Sequence, residues 1–141
     1  MSYDYSENIL VQESAGHLLQ NELGWDVAYA YNTEQLGENG TFGRKSYKDI
    51  LLTRYFREAL LRLNSWITPA QIDEAQRKLE HRLSTASLLQ INEEKYFLIR
   101  GGIPVTVKKP GGKTEEKRAV VIDFQNPGNN CFLAIKELKI H

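Results

Sequence analysis

The pattern of apolar and polar residues divides the chain into a helical first part and a strand-rich last part. In residues 6–23 the apolar side chains recur at spacings of three and four, which predicts a helix with Ser6 as N-cap and a stop at Gly24. The stretch WDVAYAYN alternates large apolar residues with smaller or polar ones, which predicts a β-strand. Residues 32–44 contain three glycines and are predicted to form a long loop.

Three further helices are predicted between this loop and Gly102. The stretch SYKDILLTRYFREALLRLN has an apolar stripe and opens with a Ser-x-x-Asp sequence at Ser46 that is close to a capping box. The sequence TPAQ at Thr68 combines an N-cap hydroxyl, a proline at the first helical position and a capping glutamine, so a helix to about Leu83 is expected. Residues 84–87 are predicted to end this helix and to cap a last helix, which ends at a glycine pair.

Beyond Gly102 the pattern changes to strands. IPVTVKK and KRAVVIDF flank a glycine-containing turn and predict two strands, NPGNN predicts a short loop, and CFLAIKELKI predicts a final strand. No internal repeat, low-complexity segment or domain boundary is visible. A helical N-terminal half followed by antiparallel strands predicts an α+β fold in a single domain over residues 1–141.

Composition narrows the class of protein. A chain of 141 residues with 41% hydrophobic and 26% charged residues is typical of one globular domain. Its 18 basic and 18 acidic residues balance, which argues against a surface that is DNA-binding throughout. Because Cys131 is the single cysteine, the chain cannot form an internal disulfide. No apolar run approaches the roughly 20 residues of a membrane helix. The first residues are polar, which does not fit a signal peptide. We therefore expect a cytoplasmic protein without a membrane partner.

Three residues near the end of the sequence have the side chains of a metal-dependent nuclease site. Asp123 lies near the end of the pattern KRAVVIDF, and Glu137 and Lys139 form a Glu-x-Lys in the final strand pattern. In nucleases of the PD-(D/E)xK kind, carboxylates hold a divalent cation, usually Mg²⁺, and a lysine positions or activates the attacking water. Because residues two apart in a strand share a face, Glu137 and Lys139 are expected to point the same way, with Asp123 across a short turn.

The same residues also fit a structural interpretation. Glu137 and Lys139 share their strand face with Leu133 and Ile135, so the strand could leave the core and end in a solvated Glu–Lys pair. The spacing from Asp123 to the Glu-x-Lys is loose, and many unrelated sequences of this composition would contain it. The residues alone leave both interpretations open.

Other candidate residues carry weaker signals. Glu13 lies in the first predicted helix, where a carboxylate can either assist a metal site or face solvent. His17, His81 and His141 do not recur at metal-site spacing and are predicted to lie on the surface, and no zinc pattern is present. The aromatic and basic residues around the glycine-rich loop could contact nucleic acid, with core packing as the alternative; they are Tyr29, Tyr31, Phe42, Arg44, Lys45 and Tyr47.

Several stretches together resemble one known family. SENILVQESAGHLLQNELGWDVAYAYN, LGENGTFGRKSYKDILLTRYFREALLRLN, ASLLQINEEKYFLIRGGIPVTVKK and VVIDFQNPGNNCFLAIKELKI resemble the extreme N-terminal region of the R (HsdR-type) subunit of type I restriction endonucleases. The resemblance covers nearly the whole chain, and its most specific part is IDFxNPxNNxF.

The resemblance implies a role in a multisubunit enzyme that cleaves unmodified DNA. The R subunit of this family assembles with methyltransferase and specificity subunits, begins with a PD-(D/E)xK nuclease domain and continues into an ATP-driven translocase. Mg²⁺ and ATP are implied for the full-length subunit, and no cofactor for this stretch alone. The family motif is an arginine-flanked Pro-Asp followed by Glu-x-Lys, and these 141 residues contain no Pro-Asp. The chain is therefore expected to be a truncated piece that does not cleave DNA.

In that case Asp123, Glu137 and Lys139 would be structural neighbours of a site formed farther along, and Glu13 alone would align with a family acid near the metal. Two alternatives stay open: a small complete Mg²⁺-dependent nuclease that uses those three residues, and a non-enzymatic module that docks on the methyltransferase core or on DNA. For docking, the helical region 46–102 is the expected surface, and a pull-down with and without that core would test it.

Overall fold

The computed structural model describes residues 7–81 and 87–140, which form two compact units. Unit 1 comprises Met1–Ile50 and Cys131–His141, and unit 2 comprises Leu51–Asn130. The elements in chain order are α1 (Glu7–Asn21), β1 (Asp26–Tyr29), α2 (Thr53–Leu63), α3 (Pro69–Glu80), α4 (Leu88–Gly101), β2 (Ile103–Lys108), β3 (Thr114–Ala119), a 3₁₀ turn (Pro127–Asn129) and β4 (Leu133–Lys136).

Unit 1 is built on a parallel pair of strands. Strands β1 and β4 pair in register from Asp26 with Leu133 to Tyr29 with Lys136. Helix α1 packs on this pair at Gly16, which is buried. A Cβ added at Gly16 would lie 3.6 Å from Val27 Cγ1, an ordinary van der Waals distance, so the helix contacts the strands here and leaves room for a methyl group.

A buried ion pair holds the long loop of unit 1. The guanidinium of Arg44 donates to both carboxylate oxygens of Glu34 at 2.6 Å, and the two side chains are 0% and 3% exposed. Arg44 also donates to the carbonyl oxygens of Asp49 at 3.2 Å and Lys139 at 2.7 Å. Its pKa is raised above the ordinary value, chiefly by the hydrogen bond to Glu34. One cation thus joins the glycine-rich loop to the segment after β4.

Unit 2 has an apolar core formed by two helices and an antiparallel hairpin. Strands β2 and β3 pair from Ile103 with Ala119 to Lys108 with Thr114. The chain alternates along β2, so that Ile103 and Val105 are fully buried while Thr106 is exposed. The buried apolar cluster contains Phe56, Leu60, Ile67, Ile72, Ala75, Ile103, Val105 and Ala119.

Helix α3 covers the edge of β2 that does not face β3. Gln71 and Lys78 donate from their side chains to the carbonyls of Thr106 and Pro104, and the Glu74 carboxylate accepts the Thr106 N–H at 2.9 Å. This last bond is the main cause of the lowered pKa of Glu74. Backbone groups at a strand edge otherwise invite pairing with other chains, and here polar side chains satisfy them.

The structure confirms a mixed α+β fold and most of the predicted helices. The Thr68 cap is present, with its backbone N–H donating to Gln71 Oε1 at 2.9 Å. Ser87 caps α4 in the same way, with Gln90 as partner. Helix α3 ends at Glu80 with His81 extended, so the predicted end at about Leu83 is too late. The predicted break at residues 84–86 lies outside the described residues, and the single domain over residues 1–141 stays a prediction.

Three predicted elements are wrong in extent or pairing. Residues 46–52 form turns and not the start of α2, because the Asp49 carboxylate accepts the N–H groups of Lys45 and Ser46 and closes the chain on itself. Strand β3 stops at Ala119 because the Asn64 side chain bonds both the N–H and the carbonyl of Val120. The last strand does not extend the antiparallel set; it pairs in parallel with β1.

Helix lengths also bear on membranes. Within residues 7–81 and 87–140, no helix is both long and apolar enough to cross a bilayer.

Candidate functional site

Asp123 lies in a loop of unit 2 that its own side chain organises. Its carboxylate accepts the Nδ2–H of Asn129 at 3.0 Å and the backbone N–H groups of Gln125 at 3.1 Å and Asn126 at 2.9 Å. These bonds, that of Asn129 first, hold the pKa of Asp123 below its ordinary value of 3.8. All three donors favour the ionised form, so this carboxylate serves as the acceptor at the centre of a turn.

Asn130 closes the same loop from the other side. Its Oδ1 accepts the backbone N–H of Asp123 at 2.8 Å, and its Nδ2 donates to the Asp123 carbonyl at 2.9 Å. Arg62 of α2 donates to the carbonyl of Asn129 at 3.0 Å. The specific part of the motif, IDFxNPxNN, thus has a local structural explanation, since its Asp and its last two Asn residues bond one another.

Glu137 and Lys139 belong to unit 1 and do not lie in a strand. Strand β4 ends at Lys136, and Glu137 has a left-handed backbone with φ of 58°. A residue with a side chain rarely adopts this conformation, and it ends the alternation on which the predicted shared face depends. The expectation of a continuous strand through Glu137 and Lys139 is therefore wrong.

Both side chains have other partners within unit 1. The Glu137 carboxylate accepts from Gln12 Nε2 of α1 at 2.9 Å. The ammonium of Lys139 lies 5.5 Å from the ring centroid of Tyr47. A catalytic role for Asp123, Glu137 and Lys139 stays a prediction. Each of these side chains has a contact that explains its position: with Asn129, with Gln12 and with the Tyr47 ring, in that order.

Glu13 lies on the face of α1 that meets β4. Its carboxylate accepts from Lys136 Nζ at 3.0 Å, with the two side chains 57% and 21% exposed. The same ammonium lies 5.8 Å from the ring centroid of Tyr29 on β1. We call Gln12, Glu13, Lys136 and Glu137 the Glu13 face. Sequence reasoning missed Lys136, whose position beside α1 depends on a parallel pairing that the local pattern does not encode.

The Glu13 face offers part of what a magnesium ion requires. Glu13 supplies a carboxylate oxygen donor, and Mg²⁺ is commonly held by one or two carboxylates together with waters and substrate. Lys136 supplies a cation 3.0 Å from that carboxylate. No group of three His, Cys, Asp or Glu side chains that could hold a metal occurs among the described residues.

The aromatic residues around the glycine-rich loop divide into two groups. Phe42 and Arg44 are each 1% exposed inside unit 1, and the guanidinium of Arg44 is paired with Glu34. For these two residues, burial supports the packing interpretation. Tyr29 and Tyr31 are 48% and 49% exposed, with ring centroids 6.3 Å apart. Of the predicted surface histidines, His17 and His81 are exposed, and His141 lies outside the described residues.

Comparison with known proteins assigns the class. The family model for the N terminus of type I restriction enzyme R proteins matches residues 4–141, and the chain belongs to this family. The match covers both units, so the resemblance carried by the sequence motifs is confirmed.

One particular relative is the endonuclease subunit of the type I restriction enzyme HindI from Haemophilus influenzae, which is 29% identical over 120 residues. The match covers 84% of this chain and 11% of that subunit, so the chain spans about a tenth of the relative's length. No solved structure matches the chain.

Proposed function

We propose that this chain forms the start of the DNA-cleaving R subunit of a type I restriction–modification enzyme. In the complete subunit it would support Mg²⁺-dependent cleavage of unmodified DNA, driven by ATP-dependent translocation, in assembly with methyltransferase and specificity subunits. The observation that carries this proposal is the family match over residues 4–141. The relationship to a named endonuclease subunit supports the same function.

Within that function we assign unit 1 to the nuclease domain. A helix that places an acidic residue beside a strand is suited to a PD-(D/E)xK site, where carboxylates and a lysine converge on a metal and its water. Glu13 on α1, held by Lys136 of β4 at 3.0 Å, would supply an accessory acid there. A bound Mg²⁺ would provide Lewis-acid activation of the scissile phosphate, and this chain would contribute the position and charge of Glu13.

The main catalytic residues are assigned outside this stretch. The 141 residues contain no Pro-Asp, so the family motif of Pro-Asp and Glu-x-Lys has no match among them. The loop bonds of Asp123 and the contact of Glu137 with Gln12 support structural roles for both acids. We therefore expect the isolated chain not to cleave DNA.

A plasmid-nicking assay tests this assignment. Purified chain is incubated with supercoiled plasmid and Mg²⁺, and no conversion above the EDTA control is expected. Mg²⁺-dependent nicking that is lost in Asp123→Ala or Lys139→Ala, with Lys113→Ala active as a surface control, would establish the small complete nuclease instead.

The role of Glu13 is tested in the complete R subunit within its assembled complex. Glu13→Gln keeps the size of the side chain and removes its charge, so ATP-dependent cleavage of unmodified plasmid should fall while ATP hydrolysis continues. If the Glu13→Gln complex cleaves at the wild-type rate, Glu13 is not part of the nuclease site, and the family assignment is unaffected.

A further inference from the structure

A cavity in unit 2 lies between the end of α4 and the segment after β3. It has a volume of about 430 Å³, and its apolar lining includes Leu63, Ile99 and Val121. Arg100, Phe124 and Gln125 also line it. Small-ligand sites commonly have volumes of roughly 300–1,000 Å³, apolar walls and a few polar groups, and this cavity falls within that range.

The wall of this cavity is fixed without a ligand. Asn64, only 2% exposed, holds Val120 through both of its backbone groups, at 2.8 and 2.9 Å. Farther along, Asp123 and Asn130 bond within the loop and hold it closed. A preformed wall lowers the ordering cost of binding, because few side chains must be immobilised when the ligand arrives.

Arg100 lies over the ring of Phe124 at this cavity. The Arg100 guanidinium carbon lies 5.4 Å from the Phe124 ring centroid, and Phe124 remains 52% exposed. The side chains of Asn129 and Asn130 bond to Asp123, whereas the Phe124 ring is left in contact with water. Aromatic rings and arginine guanidinium groups are the surfaces on which unpaired bases stack in nucleic-acid-binding proteins.

The neighbouring groups favour a base over a phosphate. Gln125 and Asn126 are exposed amides at the cavity, and an amide has both the donor and the acceptor that a base edge requires. Among the described lining residues Arg100 is the one cation, and Asp123 lines the same cavity with a negative charge. The nearby Arg118 donates to the carbonyl of Gly102 at 3.3 Å. The C-terminal end of α4 adds further partial negative charge, so phosphate binding has little support here.

We propose that the cavity between α4 and the Asp123 loop binds an unpaired nucleobase, stacked on the exposed ring of Phe124, which Arg100 supports, and hydrogen-bonded by Gln125. The base could come from single-stranded DNA or from a free nucleotide, since the stacking chemistry is the same. Binding at this place is independent of the proposed cleavage, because a chain that does not nick DNA can still hold a base. The two proposals therefore fail separately.

The test measures binding to the full 141-residue chain. The probes are a short single-stranded oligonucleotide carrying 2-aminopurine, read by fluorescence, and a deoxynucleoside monophosphate added as competitor. Phe124→Leu keeps apolar volume and removes the ring, so the dissociation constant should rise about 5- to 150-fold, the range expected for one stacked base. Arg100→Gln should weaken binding as well.

The control is Phe97→Ala, which removes an exposed aromatic side chain that belongs to α4 and does not line the cavity. It should leave the affinity unchanged, and thermal melting confirms that each variant is folded. Because one cation is involved, a tenfold rise in salt should weaken binding by less than about tenfold.

The two probes separate the sources of the base. Effective competition by the free nucleotide, equally sensitive to Phe124→Leu, supports a nucleotide site, and binding of the oligonucleotide alone supports a strand site. Three results overturn the proposal: neither probe binds, folded Phe124→Leu binds as tightly as wild type, or Phe97→Ala causes an equal loss.

Discussion

Unit 2 buries eight apolar side chains in one cluster, whereas the largest fully buried side chain of unit 1 is a charged one, that of Arg44. The apolar residues buried in the described part of unit 1 are Ala30 and Phe42. Unit 2 thus gains stability from the removal of apolar surface from water, while unit 1 depends on a small set of directional bonds.

The amino-acid composition of unit 1 explains why it has so few buried apolar side chains. The loop of unit 1 contains several glycines and polar residues, which cannot form an apolar core, and its two strands are short. A buried ion pair compensates for desolvation only when its remaining donors are satisfied, and Arg44 meets this condition through Glu34 and two carbonyls. The chain offers one tryptophan in each unit, Trp25 and Trp66, so the contrast can be measured site by site.

The largest effect is expected from Arg44→Ala. Removing the cation leaves Glu34 buried and charged, and breaking a buried pair in this way costs about 3–5 kcal/mol. Urea unfolding of a Trp66→Phe background, followed by Trp25 fluorescence, reports on unit 1. The control Arg57→Ala removes an exposed pair with Asp73 and should cost about 0–1 kcal/mol.

A conservative double variant sharpens the interpretation of Arg44. Arg44→Met with Glu34→Leu replaces the pair by apolar side chains, which is often neutral for a buried pair, so much of the lost stability should return. An Arg44→Ala variant that unfolds like wild type by Trp25 fluorescence would mean that the ion pair does not stabilise unit 1.

A smaller effect is expected in unit 2 from Leu60→Ala. Leu60 is 0% exposed at the centre of the cluster, and truncation of a buried leucine costs about 2–5 kcal/mol through lost burial and the cavity left behind. The readout is Trp66 fluorescence in a Trp25→Phe background. Its neighbour Leu61 is 56% exposed, and Leu61→Ala should stay within about 0.5 kcal/mol of wild type. Equal losses for the two leucines would contradict the core assignment.

The smallest effect is a gain, from Gly16→Ala in α1. The added Cβ would make ordinary contacts of 3.6 Å with Val27 and 3.8 Å with Lys136, and alanine is favoured over glycine inside a helix by about 1 kcal/mol. We expect unit 1 to be stabilised by about 0.5–1 kcal/mol in the Trp25 assay. Gly102→Ala is the opposing case, since its φ is 89° and the added Cβ would lie 3.0 Å from the Ala119 carbonyl oxygen. A destabilised Gly16→Ala would show that α1 lies tighter on the strands than these distances allow.

Local patterns predicted the helices of unit 2 well because their signals are local. The capping residues Thr68 and Ser87 act within one turn of helix, so the sequence around them contains both partners. The start of α2 was missed because Asp49 could cap a helix or close a turn, and the same Ser-x-x-Asp sequence fits both.

The candidate site was harder to predict because its contacts are distant in sequence. Glu13 was singled out from the sequence, but its partner Lys136 is 123 positions away and depends on how β4 pairs. Glu137 and Lys139 were expected to share a face, an inference that needs a continuous strand and fails at one left-handed residue. The family resemblance, by contrast, rests on an ordered run of motifs and needs no assumption about pairing.

The parallel pairing of β1 with β4 also sets an order in which the chain can form. Unit 2 is a continuous segment, whereas the two strands of unit 1 are separated by all of it. During synthesis, domains generally fold as units from the N-terminus onward, and a segment of unit 2's kind can close as soon as it has left the ribosome. Strand β1 has no strand partner until β4 is synthesised, so the strand pair of unit 1 forms only after all of unit 2 has been made. The apolar unit can therefore fold first, and the unit that carries Glu13 closes after it.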